Sequence, residues 1–105
     1  MHVNRFAAEA DERWTELGER LDKAIVNLSH LAEATRFKED KDRLEAKIAA
    51  VQAAKGMWED FTAKDGRTLD LLEAVRQRRG ASTSLGEAEG YGVAMNYLTD
   101  VRPPG

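Results

Sequence analysis

The sequence predicts an all-α protein, and three observations support this prediction. Ala, Glu, Lys, Leu and Arg dominate the chain, a composition typical of long or bundled helices. The two prolines are adjacent near the end, and neither Gly nor Pro occurs between Gly18 and Gly56. Apolar residues recur at alternating intervals of three and four, which places them on one stripe of an α-helix. With 105 residues, the chain has the length of one domain.

The first predicted helix carries the longest apolar stripe. It begins near Asn4, whose side chain can cap free backbone N–H groups, and runs to about Ala34. Gly18 lies inside the helix and costs about 1 kcal/mol relative to Ala. Such a narrow stripe is the seam of a coiled coil or a helical bundle, and its burial requires a second surface. We therefore expect the chain to self-associate through Val3, Trp14, Leu17, Leu21, Leu28 and Leu31.

A second apolar series follows, but its phase does not continue the first. It consists of Phe37, Leu44, Ile48, Val51 and Trp58, with Ala54 and Phe61 beside it. Either the chain turns between Leu31 and Leu44, which makes a helical hairpin, or one long coiled-coil helix absorbs the change of register. The lack of Gly and Pro favours one helix, whereas weak helix formers from Asn27 to Thr35 favour a turn. We favour the hairpin, because very long single helices are rare.

One or two shorter helices are expected in the C-terminal part. Lys64-Asp65-Gly66 is a turn signal, and Asp65 or Thr68 can cap a third helix that ends at Gly80. These elements make residues 1–80 a helical or coiled-coil domain. Residues 81–105 are predicted as a Gly- and Ser-rich loop with an extended tail. Ser84-Leu85-Gly86-Glu87 also fits a capping box, so the alternative is a short, glycine-weakened helix there.

Composition excludes several classes of protein. The chain has no cysteine, which excludes disulfides and thiolate metal sites. Charged residues near the N-terminus are incompatible with the apolar core of a signal peptide, and no run is long enough to span a bilayer. We therefore expect a cytoplasmic protein without a membrane partner. The net charge of −3 argues against general nucleic-acid binding, which normally requires a basic excess.

Two pairs of acidic residues have a spacing with a catalytic interpretation. Glu16 and Glu19 form the first pair, and Glu39 and Asp42 the second. Carboxylates paired on facing helices could hold Mg²⁺ and present it to a triphosphate. This arrangement resembles the paired acidic motifs of the all-α nucleotide pyrophosphohydrolases, although the first pair lacks their adjacent acid. The resemblance implies Mg²⁺-dependent cleavage of a nucleoside triphosphate to its monophosphate. The alternative, which we prefer, is a charged solvent-exposed face.

Basic and aromatic residues provide two further candidates for contacts. Arg76, Arg78 and Arg79 could touch phosphates, but cations near a helix C-terminus also complement the helix dipole. Trp58 could anchor either the core or a partner. His2 and His30 do not have the spacing of a metal site. We assign no catalytic, cofactor-binding or metal-binding residue.

These observations favour a small non-enzymatic protein that self-associates and acts as an assembly, adaptor or regulatory binding module. Its expected partners are a second copy of itself and another protein. Helical packaging and regulatory proteins of phages and mobile elements have a comparable shape, which is an analogy of architecture alone. Two alternatives remain open: a nucleic-acid-binding assembly factor of that phage or mobile-element type, and the Mg²⁺-dependent pyrophosphohydrolase.

Overall fold

Four α-helices follow one another along the chain in a computed structural model. They are α1 (Arg5–Ala34), α2 (Lys38–Ala63), α3 (Thr68–Gly80) and α4 (Leu85–Val101). The structure describes residues 5–63 and 68–101, and the side chains of residues 12–63 and 70–99. The predicted all-α fold, with two long helices and shorter C-terminal ones, is confirmed. The predicted caps Asn4 and Asp65 lie outside the described residues.

The two long helices form an antiparallel hairpin. Trp14 Nε1 donates a hydrogen bond to Thr62 Oγ1 at 2.7 Å, and Lys55 forms an ion pair with Asp22. As the residue numbers increase along α1, the numbers of their contact partners in α2 decrease, so the two helices are antiparallel. The chain reverses at residues 35–37, so the hairpin prediction is confirmed and the single long helix is wrong.

α4 runs beside α2 in the same direction, through a contact made by two glycines. A β-carbon on Gly86 would collide with the carbonyl oxygen of Arg43, and one on Gly90 with that of Lys47. Gly86 and Gly90 are four residues apart in α4, and the residues that they contact are likewise four residues apart in α2. The helix backbones approach closely because neither glycine has a side chain. The glycines that weaken α4 as an isolated helix are the residues that fit it against α2.

All four helices contribute to one apolar core. Its buried members are Leu17, Leu21, Ala24, Ala50, Val51, Ala54, Leu71, Val75, Tyr91, Ala94 and Leu98. Both parts of the chain that sequence analysis separates at residue 80 are therefore present in this core. Many members are alanines, which is consistent with helices that approach one another closely. The end of the hairpin where α1 connects to α2 does not belong to this core, and the candidate site lies at that end.

Candidate interaction surface at the turn end

The two connections between neighbouring helices that the structure fully describes lie at the same end of the bundle. Residues 35–37 join α1 to α2, and residues 81–84 join α3 to α4. Gly86, near the start of α4, packs on Arg43, in the second turn of α2, so both connections are close to the start of α2. We call this region the turn end, defined by residues 31–45 and 81–89.

Side-chain and backbone hydrogen bonds close the α1 helix at the turn end. Thr35 Oγ1 donates to the carbonyl of Leu31 at 2.7 Å, and the Thr35 N–H donates to the carbonyl of Ala32 at 3.3 Å. These bonds satisfy carbonyl groups that have no partner within the helix. α1 therefore ends with these carbonyl groups paired, at a point where the sequence has neither Gly nor Pro.

Phe37 occupies the N-cap position of α2. Its carbonyl accepts the first helical hydrogen bond, from the N–H of Lys41 at 2.9 Å. Ser, Thr, Asp or Asn is preferred at an N-cap, because their side chains accept a bond from a free backbone N–H. A phenyl ring offers no acceptor, and the Phe37 side chain is 74% exposed. The prediction that Phe37 belongs to the second apolar series is wrong, because its side chain provides neither a cap nor core packing.

Two other large apolar residues of the turn end are exposed. Leu31 is 53% exposed in the last turns of α1, and Leu85 is 63% exposed at the start of α4. Val26, 52% exposed, lies farther along α1 from the turn. The turn end therefore carries three of the four large apolar residues that are exposed in the described part of the chain. Scattered apolar residues on a surface are ordinary, but a group of them marks an interaction site.

The predicted capping box at the start of α4 is confirmed, with one difference. The Glu87 N–H donates to Ser84 Oγ at 3.2 Å, as the motif requires. The Glu87 carboxylate, however, accepts bonds from the N–H and the hydroxyl of Thr83, at 3.1 and 3.0 Å. The carboxylate thus reaches one residue farther back than in the standard motif. This cap explains why the Gly-rich segment begins a helix rather than remaining a loop.

An ion pair joins α2 to α4 beside an open groove. Arg43 Nε donates to Glu89 Oε1 at 2.5 Å, which raises the pKa of Arg43 and lowers the pKa of Glu89. The groove, of about 270 Å³, is lined by Asp40, Arg43, Leu44, Lys47 and Glu89. Both signs of charge line it, so it shows no preference for an anion or a cation. We interpret the pair as part of the contact that holds α4 on α2.

Most of the predicted self-association stripe is buried by the chain itself. Leu17 and Leu21 are 1% and 2% exposed in the core, and Leu28 is half-buried against it. Val3 lies outside the described residues, and Leu31 is exposed at the turn end. α2 and α4 together cover the middle of the stripe, which a period of three and four in one helix could not reveal. Leu31 is the described stripe residue that remains open to a second molecule.

The two tryptophans pack on each other at the opposite end of the hairpin. Their rings are stacked with centroids 6.1 Å apart, and Trp58 Nε1 donates to the Trp14 carbonyl at 3.0 Å. Trp58 also lies directly over Gly18. Both side chains are half-buried. Trp58, predicted as a candidate partner contact, therefore has an intramolecular role that joins α1 to α2.

The two acidic pairs do not meet on the hairpin. Glu39 and Asp42 lie in the first turns of α2, next to the end of α1, whereas Glu16 and Glu19 lie near its middle. At about 1.5 Å per residue, the pairs are offset by roughly 27 Å along the helix axes. Among the described residues, no three Asp, Glu, His or Cys side chains converge on one point. The hairpin does not place these carboxylates on facing turns, as the metal-binding interpretation requires.

The arginines at the end of α3 make contacts within the chain. Arg76 Nη2 donates to Glu73 Oε1 at 3.1 Å. The Arg79 guanidinium lies along α4, with Nη1 4.0 Å from the sulfur of Met95. Arg78 is exposed. Two of the three candidate phosphate contacts are thus engaged by neighbouring helices or turns.

Comparisons with family models, with curated proteins and with solved structures find no match to this chain. Within the described residues, none of the helices combines the length and the apolar character that crossing a bilayer requires.

Proposed function

We propose that this protein acts without catalysis, as a small assembly or adaptor module that binds another macromolecule through the turn end of its helical bundle. The observation that carries the proposal is Phe37, which is 74% exposed at a helix N-cap. A polar residue there would stabilise α2 and a smaller one would expose less apolar surface. The exposed phenyl ring does not stabilise the fold, but it would provide apolar contact area in a binding surface.

The neighbours of Phe37 support the same function. Leu31 and Leu85 add exposed apolar area to the turn end, and the first turns of α2 that follow Phe37 carry exposed charged side chains. An apolar centre with a polar rim is the usual anatomy of a protein interface, and large aromatic residues contribute most of its binding energy. We propose a protein partner rather than a nucleic acid, because the chain carries a net charge of −3 and nucleic-acid binding normally requires a basic excess. We further propose that the module works in the cytoplasm, which suits a chain without cysteine.

Site-specific photo-crosslinking in the native host tests this proposal. A benzophenone amino acid replaces Phe37 in one variant and Gln52, an exposed residue farther along α2, in the control. We expect a discrete adduct from position 37, identified by mass spectrometry. An excess of purified wild-type protein should suppress the adduct, whereas a Phe37→Asp competitor should not. Equal adducts at both positions, or adducts that no competitor suppresses, would contradict the proposed surface.

A further inference from the structure

One exposed face of α2 next to Phe37 carries an ordered set of charges. Lys38, Lys41, Asp42 and Glu45 recur at intervals of three, one and three, which places all four on one side of the helix. All four are exposed. Along this face two bases precede two acids. The N-terminal half of the face is therefore positive and the C-terminal half is negative, with the change of sign between Lys41 and Asp42.

A face of this kind is complementary to its own copy. If two such helices meet antiparallel about that midpoint, Lys38 lies opposite Glu45 of the second copy and Lys41 lies opposite Asp42 of the second copy. A two-fold axis repeats each contact with the roles exchanged, so every charge faces the opposite sign. We propose that a second copy of this chain docks on this face of α2 with its own α2 helix antiparallel. In this dimer, Phe37 of each copy packs on the α2 helix of the other copy.

The same arrangement gives Phe37 a place to bind. Phe37 precedes Lys38, so it extends past Glu45 of the second copy towards the next residue on that face, Ala49. Ala49 is exposed and small, which leaves room for a phenyl ring beside the helix. The side chain that is 74% exposed in one chain thus acquires an apolar contact in a pair. The two-fold axis supplies two such contacts per dimer.

Charge balance around the apolar residues also favours a second copy over a partner of strong single charge. Residues 33–45, which include the whole charged face, contain the acids Glu33, Glu39, Asp40, Asp42 and Glu45 and the bases Arg36, Lys38, Lys41 and Arg43. The segment carries a net charge of only −1, so two copies repel each other weakly. Opposite charges across an interface mainly set register and exclude wrong arrangements, while buried apolar groups supply affinity. The charged face therefore specifies the antiparallel alignment and Phe37 contributes most of the attraction.

This inference rests on the proposed function, because it assigns a partner to the same turn end. The contact involves a few turns of one helix, so it belongs with the small interfaces of weak, reversible association. We expect a monomer at low concentration and a dimer as the concentration rises towards about 1 mM.

A charge-reversal pair tests whether this face of α2 forms the contact. One variant carries Lys38→Glu and Lys41→Glu, which makes the face fully acidic, and the other carries Asp42→Lys and Glu45→Lys, which makes it fully basic. Sedimentation velocity over a concentration series should show dimer formation by the wild type and monomers for each variant alone. A mixture of the two variants should form a heterodimer, because all four cross-contacts then join opposite charges. Phe37→Asp in both variants should weaken the heterodimer at least about tenfold.

Each result has a definite meaning. Recovery of association on mixing shows that both variants fold and that the charged faces of α2 meet in the dimer. A mixture that stays monomeric, while circular dichroism shows both variants to be helical, would overturn the proposed docking. A wild type that stays monomeric up to about 1 mM would overturn it as well. In either case a specific, competed adduct at position 37 would leave the proposed binding function intact, with a partner other than a second copy.

Discussion

The six-membered ring of Trp58 occupies the space above Gly18 where any other residue would carry its β-carbon. Three ring carbons lie 2.5, 2.7 and 2.9 Å from that position. The ring is fixed there by its stacking on Trp14 and by the hydrogen bond from Trp58 Nε1 to the Trp14 carbonyl. Gly18 is therefore a packing residue that allows α2 to approach α1, and its low helix propensity is the cost of that contact.

Replacement of Gly18 by Ala is expected to destabilise the protein. The added methyl group gains about 1 kcal/mol of helix propensity but displaces the Trp58 ring, and overpacking of this kind costs about 1–3 kcal/mol. We expect a lower urea midpoint together with a red shift of the tryptophan fluorescence, because the indole moves towards solvent.

Gly56→Ala is the matched control. Gly56 lies within α2 and is exposed, and a β-carbon there would meet nothing within 4 Å. The same substitution should therefore stabilise the protein by about 1 kcal/mol. Changes of the same sign at both positions would show that helix propensity, and not the contact with Trp58, decides the outcome at residue 18.

The comparison of these glycines shows what the sequence could and could not predict. Helical periodicity and the lack of proline are local signals, and they correctly predict α1, α2 and α3. The capping box at Ser84 indicated α4 only as the alternative to a Gly- and Ser-rich loop, and the structure shows the helix. Gly18 and Gly90 read as weak points in the sequence because helix propensity is also local. Their contacts with Trp58 and with the α2 backbone depend on which helices pack together. The small-residue spacing Gly86, Gly90 and Ala94 was the available signal for a close helix contact.

The candidate site was missed for a related reason. The stripe of α1 correctly identified Leu17 and Leu21 as residues that need cover, but a period cannot say whether the cover comes from the same chain or from another. The structure shows that α2 and α4 supply it, which moves the open apolar surface to Leu31 and Phe37. The sequence signal for this unusual N-cap was Phe37 itself, an aromatic residue directly before a first helical turn of charged residues.

Phe37→Asp is expected to stabilise the monomer. An aspartate at the N-cap can accept a bond from a free backbone N–H of α2, and its charge complements the helix dipole. At concentrations too low for association, we expect a gain of about 1 kcal/mol in the free energy of unfolding, measured with urea. Phe37→Ala serves as the control, because alanine removes the ring without providing a cap. A marked loss of stability in both variants would mean that the Phe37 ring packs within the fold.

The ion pair between Arg43 and Glu89 should contribute to stability in a pH-dependent way. The hydrogen bond from Arg43 lowers the pKa of Glu89 below its ordinary value of 4.5. A carboxyl whose pKa is lower in the folded state stabilises the fold above its unfolded pKa, and this contribution is lost as the pH falls through the folded pKa. The stabilisation is therefore present at neutral pH and disappears in acid, below about 4.5.

Glu89→Gln should remove this pH-dependent contribution. We expect the urea midpoint of the variant to lie below that of the wild type near neutral pH, and the two to converge as the pH falls below 4.5 and the carboxyl of Glu89 becomes protonated. Glu16→Gln, which changes an exposed carboxyl on α1, controls for the general loss of one acid. A difference between Glu89→Gln and the wild type that stays constant across the pH range would show that the ionised carboxylate does not stabilise the contact between α2 and α4.

The arginines at the end of α3 provide the test of nucleic-acid binding. Arg76 pairs with Glu73 and Arg79 lies along α4, so binding to phosphates would compete with these contacts. The chain as a whole carries a net charge of −3, which repels the same phosphates. We therefore expect weak binding of a fluorescent DNA duplex near physiological salt, with little change when Arg76, Arg78 and Arg79 all become Gln.

If these side chains formed a phosphate-binding patch, the affinity measured by fluorescence anisotropy would fall steeply with added salt. It would also collapse in the triple variant, whereas Lys23→Gln, a substitution of an exposed base on α1, would leave it unchanged.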